Sequence, residues 1–146
     1  MVERTKAAEG ERGRFRVRVA AQAAYWALAW AFVVCVGVQV FLAGMAVFVD
    51  ALNWVRHVNF VHYFELVPAL MVVLAFVAGM PRGEGLYLRP VILLFLTGMQ
   101  YYFAGSGRTP LAALHPVNAL VIFWLAMTHA TAVWPRWPVR RGAERS

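Results

Sequence analysis

Charged residues are scarce in this chain of 146 residues, where they make up 14% of the total against 62% for hydrophobic residues. Soluble domains contain about 25% charged and 45–50% apolar residues, and crossing the hydrocarbon core of a membrane takes about 20 apolar residues. Sheet edges do not occur exposed to lipid, which excludes Rossmann, hydrolase and other soluble sheet folds. The sequence therefore predicts an all-α integral membrane protein with four spanning helices. The uncharged stretches are Val19–Val49, Leu66–Pro81, Pro90–Gly107 and Thr109–Pro135.

Cysteine is nearly absent, since the chain contains one, Cys35, inside the first uncharged stretch. A single cysteine excludes an internal disulfide, a CxxC redox pair and the CxxCH sequence that attaches haem covalently. Any cofactor must therefore be held by other side chains.

Acidic residues are also few, with 7 against 14 basic residues and a net charge of +7. If the first helix leaves the cytoplasm, twelve basic residues lie on the inner side and two, Arg56 and Arg108, lie outside. This distribution reports membrane topology and not nucleic-acid binding. It predicts a multi-pass protein of the bacterial inner (cell) membrane with both termini in the cytoplasm. The inner residues are Arg4, Lys6, Arg12, Arg14, Arg16, Arg18, Arg82, Arg89, Arg136, Arg140, Arg141 and Arg145.

The first uncharged stretch is 31 residues long, whereas the apolar part of a signal peptide has about 7–15 residues. We therefore expect it to stay as a helix. Residues 1–18 are predicted to form a basic cytoplasmic tail on anionic lipid headgroups, residues 19–135 the transmembrane domain, and residues 136–146 a second basic cytoplasmic tail.

Short connections between the four helices favour an up-down-up-down bundle, in which the second and fourth helices lie diagonally opposite each other. The Gly-Met-Pro sequence after Ala78 predicts a helix end, and Gly-Ser-Gly after Ala104 predicts another. Pro116 leaves two starts open for the fourth helix, one at His115 and one at Thr109-Pro110 with a kink. The expected boundaries are about Arg18–Val49, a loop Asp50–Val58, a helix from near Asn59 to Gly79, an inner loop Pro81–Arg89, a helix Pro90–Ala104, and a last helix ending near Trp134.

An internal repeat relates the first and third helices, because Gly37-Val-Gln39-Val-Phe-Leu-Ala43-Gly44 matches Gly98-Met-Gln100-Tyr-Tyr-Phe-Ala104-Gly105 at four of eight positions. The repeat predicts two related helical hairpins. Within each copy the two glycines are seven residues apart and share one helix face. That face either admits the edge of a flat cofactor or lets helices pack closely.

A histidine lies near the outer end of the second and the fourth helix, His62 and His115, each followed three residues later by a polar side chain, Glu65 and Asn118. Both histidines lie about four residues into their helices, or roughly 6 Å by helix rise. Equal depth on diagonal helices predicts two imidazoles that face each other and bind both axial positions of one haem iron. The alternative is that both are interfacial histidines exposed to water.

Several other polar residues are candidates. Gln39 and Gln100 are expected to hydrogen-bond a buried ligand or to join the hairpins. Glu65 is predicted to accept protons or to support a bound ligand from outside its first contacts, or else to be solvated at the interface with a raised pKa. His57 is predicted to be a solvated loop residue, or to take the place of His62 if the second helix begins earlier.

His129 lies two heptads below His115, a spacing that membrane cytochromes with two haems use. A second bis-histidine site would need a partner near Phe76, so we interpret His129 as an inner-interface histidine near Trp134 and Arg136. Tryptophans and tyrosines near the helix ends, among them Tyr101, are predicted to form an aromatic belt.

The stretch from Gln39 to Trp134 resembles an uncharacterised family of small bacterial four-helix membrane proteins. The resemblance rests on Gln39-x-x-x-Ala43-Gly44, on Gln100 and on Leu114-His115-Pro116-Val117-Asn118-Ala119-Leu120, and it implies no function. The placement of one histidine on the second helix and one on the fourth is also similar to b-type cytochrome bundles, including one half of haem A synthase. That enzyme has a glutamate three residues before its second-helix histidine, whereas here Glu65 follows His62.

These observations predict a single haem b near the outer face, bound by His62 and His115, in a protein with an electron-transfer or redox role. Gly44, Gly105, Gln39, Gln100, Glu65 and Asn118 are predicted to surround it. Two further function classes stay open: a small-molecule or proton carrier that uses Glu65, and a cofactor-free accessory subunit. The expected partners are membrane lipid and either a quinone or a redox protein, and self-association into a homo-oligomer is left open.

Overall fold

The computed structural model describes residues 2–82 and 85–133. All the regular structure in these residues is helical, which confirms the all-α prediction. It comprises five α-helices, where the sequence predicted four, and one short 3-10 helix. Their bounds are α1 Val2–Phe48, α2 Asn53–Val61, α3 Val67–Ala78, α4 Leu88–Gly105, the 3-10 helix Pro110–Ala113, and α5 Leu114–Val133.

Helix α1 is longer than predicted, because the expected basic tail of residues 1–18 continues the membrane-type helix down to Val2. No proline precedes Pro68 in the chain, so nothing in this segment removes a backbone donor from the helix. The described side chains from Glu3 to Arg18 are exposed. The second predicted tail, residues 136–146, lies outside the described residues.

The second predicted helix is broken in two, and the prediction of a loop over Asp50–Val58 is wrong. Helix α2 begins at Asn53, whose side chain donates to the backbone oxygens of Asp50 (2.9 Å) and Met45 (3.4 Å). These bonds tie the start of α2 to the end of α1. The chain then turns at residues 62–66, and α3 starts at Val67 with Pro68 in its first turn, where the missing N–H has no helical partner to lose.

The other helix ends follow the sequence signals. Helix α3 ends at Ala78, and Gly79 adopts a left-handed conformation (φ 61°) from which its N–H reaches the oxygens of Ala75 and Phe76. Helix α4 ends at Gly105, one residue beyond the predicted end at Ala104. Two starts were left open for the last helix, and a helical segment begins near each of them. Pro110 begins the 3-10 helix, and Leu114 begins α5.

Two helical segments, Glu3–Phe48 and Pro110–Val133, are long and apolar enough to cross a membrane by length and composition. The sequence analysis predicted four such segments. Helix α3 is apolar but has 12 residues, which is short against the roughly 20 residues of a full span.

The apolar core is concentrated in one half of the molecule. On α1 the buried side chains form a stripe with the three- to four-residue spacing of a helix face, from Ala21 to Val36, and the next buried residue is Ala46. On α4 the last buried residue is Thr97. Helices α1 and α4 both pack against α3 and α5, so residues 37–45 and 98–105 line a region with less dense packing than the core.

Candidate functional site

Two histidines lie next to each other at the more loosely packed end of the molecule, in an edge-type ring contact. The rings of His57 on α2 and His115 in the first turn of α5 have centroids 6.2 Å apart, with 60° between their planes. Both side chains are partly buried. His115 was predicted to belong to this site, but its partner is His57 and not His62. The prediction that His57 is a solvated loop residue is therefore wrong.

Each of the two histidines is anchored by a backbone carbonyl from the repeated sequence. His57 Nδ1 donates to the oxygen of Gln39 (3.0 Å), and His115 Nδ1 donates to the oxygen of Gln100 (3.2 Å). Because a carbonyl oxygen only accepts, Nδ1 carries the proton, and Nε2 of the neutral ring keeps its lone pair. Gln39 and Gln100 are the paired residues of the internal repeat, so both histidines are held in equivalent ways.

The surroundings of His57 favour its neutral form. Burial lowers the pKa of His57 below its ordinary value, an effect opposed by the hydrogen bond to Gln39 and reinforced by His115. The Gln39 side chain also donates from Nε2 to the His57 backbone oxygen (2.8 Å). The Trp54 ring packs edge-on against His57 with centroids 5.5 Å apart. These contacts fix the orientation of a neutral imidazole.

Unused polar atoms and open space lie on the same stretches of α1 and α4. The side-chain oxygens Oε1 of Gln39 and Gln100 are buried without a hydrogen-bond partner. A Cβ atom added at any of the four repeat glycines, Gly37, Gly44, Gly98 and Gly105, would meet nothing within 4 Å. The glycines therefore do not serve close packing inside this chain. The donor set fits a group held by two imidazoles, and the glycines leave the neighbouring surfaces of α1 and α4 uncovered.

His62 and Glu65, the other predicted site residues of this region, belong to a separate cluster. His62 lies just past the end of α2 and its side chain is 54% exposed, with Nδ1 donating to Glu65 Oε1 (3.2 Å). Tyr101 of α4 donates its hydroxyl to the other carboxylate oxygen of Glu65, and this bond is the main cause that lowers the pKa of Glu65. The His62 and Tyr101 rings are nearly parallel, with centroids 6.2 Å apart.

Asn118 has a structural contact. Its side chain is buried and donates from Nδ2 to the backbone oxygen of Leu96 (2.9 Å). The bond joins α5 to α4 one helical turn below His115, which positions the start of α5.

His129 is buried inside the helical bundle near the end of α5, and its predicted place at the inner membrane interface stays a prediction. Its side chain is 1% exposed, and Nε2 lies 2.8 Å from the hydroxyl of the fully buried Tyr25. Tyr25 also donates to the backbone oxygen of Leu86 (2.5 Å). Phe76, the position where a second haem would need a histidine, packs against Tyr87. The expected neighbours Trp134 and Arg136 lie outside the described residues.

In the described parts of the chain, no three or more His, Cys, Asp or Glu side chains converge to hold a metal ion. The candidate centre is therefore a pair of histidines, and a cofactor such as a porphyrin would have to supply the other ligands of its metal. The sequence did not predict the contact of Tyr25 with His129 or the contact of Tyr101 with Glu65, because each contact joins residues far apart in the chain.

Comparison with known families places part of the chain beside an uncharacterised family. Residues 39–107, just under half of the chain, match DUF6220, a family of unknown function. The matched stretch begins at Gln39 and contains His57, His62, Glu65 and Gln100. No curated protein and no solved structure matches the chain. Over these residues the chain is similar to an uncharacterised family, in line with the resemblance seen in the sequence.

Proposed function

We propose that this protein is a membrane-embedded b-type cytochrome that binds one haem between His57 and His115 and transfers electrons. The observation that carries the proposal is the pair of adjacent imidazoles, each with Nδ1 bound to the carbonyl of a repeated glutamine. The sequence left open that His57 takes the place of His62 if the second helix begins early. Helix α2 does begin early, at Asn53, so His57 is the proposed ligand.

The separation of the rings supports a shared metal. Two imidazoles that bind one ion through nitrogen at about 2.0–2.1 Å each would have ring centroids about 6 Å apart. The observed centroid distance of 6.2 Å is close to that value. A hydrogen bond from the second ring nitrogen to a carbonyl is also the usual way in which proteins orient a metal-binding histidine.

The chain supplies ligands, orientation and space, and the haem would supply one-electron redox chemistry. His57 and His115 would hold the haem, and an iron held by two histidines would suit electron transfer better than oxygenation. The glycines at 44 and 105 leave room beside the helices, and the free Oε1 atoms of Gln39 and Gln100 are available as acceptors. The redox partner would be a quinone or a protein.

The membrane placement is part of the same proposal. Helices α1, α3, α4 and α5 would form the spanning bundle, with α2 and the turn at residues 62–66 near the outer face and both termini in the cytoplasm. Large apolar side chains point away from the protein along these helices; Phe41 is 63%, Phe95 65% and Trp124 66% exposed. Lipid contact would account for this exposure, since soluble monomers rarely show such extended apolar surface.

The test is to express the full chain with added haem precursor and wash the membranes with alkaline carbonate. The protein should stay in the membrane pellet and carry about one haem per chain, read from the Soret absorption relative to protein. A colourless membrane protein would support the carrier or accessory-subunit alternatives. A protein released by carbonate would contradict the membrane placement.

A further inference from the structure

We propose that His62, Glu65 and Tyr101 form a second site, separate from the histidine pair, for a divalent transition-metal ion of the Cu²⁺ or Zn²⁺ class. His62 and Glu65 would bind the ion, and Tyr101 would position the carboxylate. The first two residues come from the turn between α2 and α3, and the third comes from α4. The proposal does not depend on haem binding.

The imidazole nitrogen of His62 and the carboxylate oxygen of Glu65 already have the spacing of two ligands of one ion, and the Tyr101 hydroxyl lies beside both. His62 Nδ1 is 3.2 Å from Glu65 Oε1 and 3.4 Å from the Tyr101 hydroxyl oxygen, and that hydroxyl also bonds Glu65 Oε2. Two ligands that each lie about 2.0–2.2 Å from an ion are themselves roughly 3–3.5 Å apart. An ion between Nδ1 and Oε1 would replace the proton now shared by them, and the neutral ring would carry its proton on Nε2.

The cluster of His62, Glu65 and Tyr101 is expected to contribute little to the stability of the fold. The side chains of His62 and Glu65 are 54% and 27% exposed, and exposed pairs of this kind contribute little to folding. Exposure is useful for a metal site, because water can fill the remaining coordination positions. Imidazole nitrogen and carboxylate oxygen suit Cu²⁺ and Zn²⁺, and Cu²⁺ binds such sites most strongly.

Tyr101 supplies the outer contact that metal-binding carboxylates usually have. Its hydroxyl donates to the oxygen of Glu65 that does not contact His62, which leaves Oε1 directed at the imidazole.

The experiment is a titration of full-length purified protein with Cu²⁺ alone, followed by electron paramagnetic resonance. The parent protein should bind one ion at this site with coupling to imidazole nitrogen. His62→Ala and Glu65→Gln should lower the affinity at least about tenfold, and Tyr101→Phe by about 10–100-fold. Asp50→Asn, which changes another exposed outer carboxylate, should have no effect.

Unchanged Cu²⁺ affinity in His62→Ala or Glu65→Gln would overturn the proposal, as would a parent protein that binds no Cu²⁺. A copper signal that is lost only in His57→Ala would also overturn it, because the ion would then report the other pair. Helix content by circular dichroism shows whether each variant is folded, and Tyr101→Phe, which keeps the ring, tests the site with the smallest disturbance.

Discussion

Replacing both His57 and His115 with alanine should yield a folded protein without haem absorption. Each imidazole would be one axial ligand, and their Nδ1 atoms are bound to separate carbonyls, so the two substitutions remove two independent iron bonds. Each single variant should bind haem at least about tenfold more weakly, since even the loss of an outer partner of a metal ligand costs 10–100-fold. The measurement is the Soret absorption per mole of protein.

His62→Ala is the matched control for this prediction. It removes another outer-side histidine, five residues from His57, which contacts Glu65 and Tyr101 instead of His115. Its spectrum should equal that of the parent protein. If His62→Ala lost the haem and His57→Ala kept it, the original pairing of His62 with His115 would be correct and the one proposed from the structure would be wrong.

Tyr25→Phe should be among the most destabilising conservative substitutions in the bundle. The phenol has one proton, which it donates to the oxygen of Leu86, so His129 Nε2–H must donate to the Tyr25 oxygen. Phenylalanine would leave both the Leu86 carbonyl and the His129 N–H without a partner in a fully buried place. Each buried unpaired group costs about 1–3 kcal/mol, so the expected loss for the two groups is about 2–6 kcal/mol.

His129→Leu should cost less than Tyr25→Phe, because Tyr25 keeps its bond to Leu86 and the substitution removes Nδ1, which is buried without a partner. The double variant should be more stable than Tyr25→Phe alone, since only the Leu86 carbonyl is then unpaired. Unfolding in a denaturing detergent gives the free energies for this cycle. Equal losses in the two single variants would contradict the hydrogen-bond directions stated for this cluster.

Features with a local physical cause could be predicted from the sequence. The end of α3 at Gly79 follows from the freedom of glycine to adopt positive φ, and Pro110 begins the 3-10 helix because its missing N–H costs nothing there. The extent of α2 could not be predicted in the same way. Residues 50–58 are polar enough to be interpreted as a loop, but from Asn53 onward they are helical, and Asn53 bonds the end of α1.

The wrong start of the second helix explains why the sequence paired His115 with His62 and not with His57. The depth argument treated the second span as one uninterrupted helix, which gave His62 the same depth as His115. The break at residues 62–66 removes that equality. The repeat identified the turns of α1 and α4 that contact His57 and His115. The contacts themselves use the main-chain oxygens of Gln39 and Gln100. Every residue has such an oxygen, so the side chains did not reveal these bonds.

The remaining features that the sequence did not predict are contacts between distant parts of the chain. Tyr25 and His129 are 104 residues apart, and each looks like an ordinary residue of an apolar helix in its local sequence. Tyr101 fits the pattern of an aromatic belt, and its bond to Glu65 depends on how α4 lies beside the turn after α2. These contacts follow from helix packing, which local patterns do not specify.

The most direct test of the central claim is the electron paramagnetic resonance spectrum of the oxidised, haem-loaded parent protein at low temperature. Two axial imidazoles predict low-spin ferric iron with one haem per chain and no high-spin signal. A high-spin signal in the intact protein would show that at most one of the two histidines binds the iron. A protein that takes up no haem would contradict the proposed function altogether.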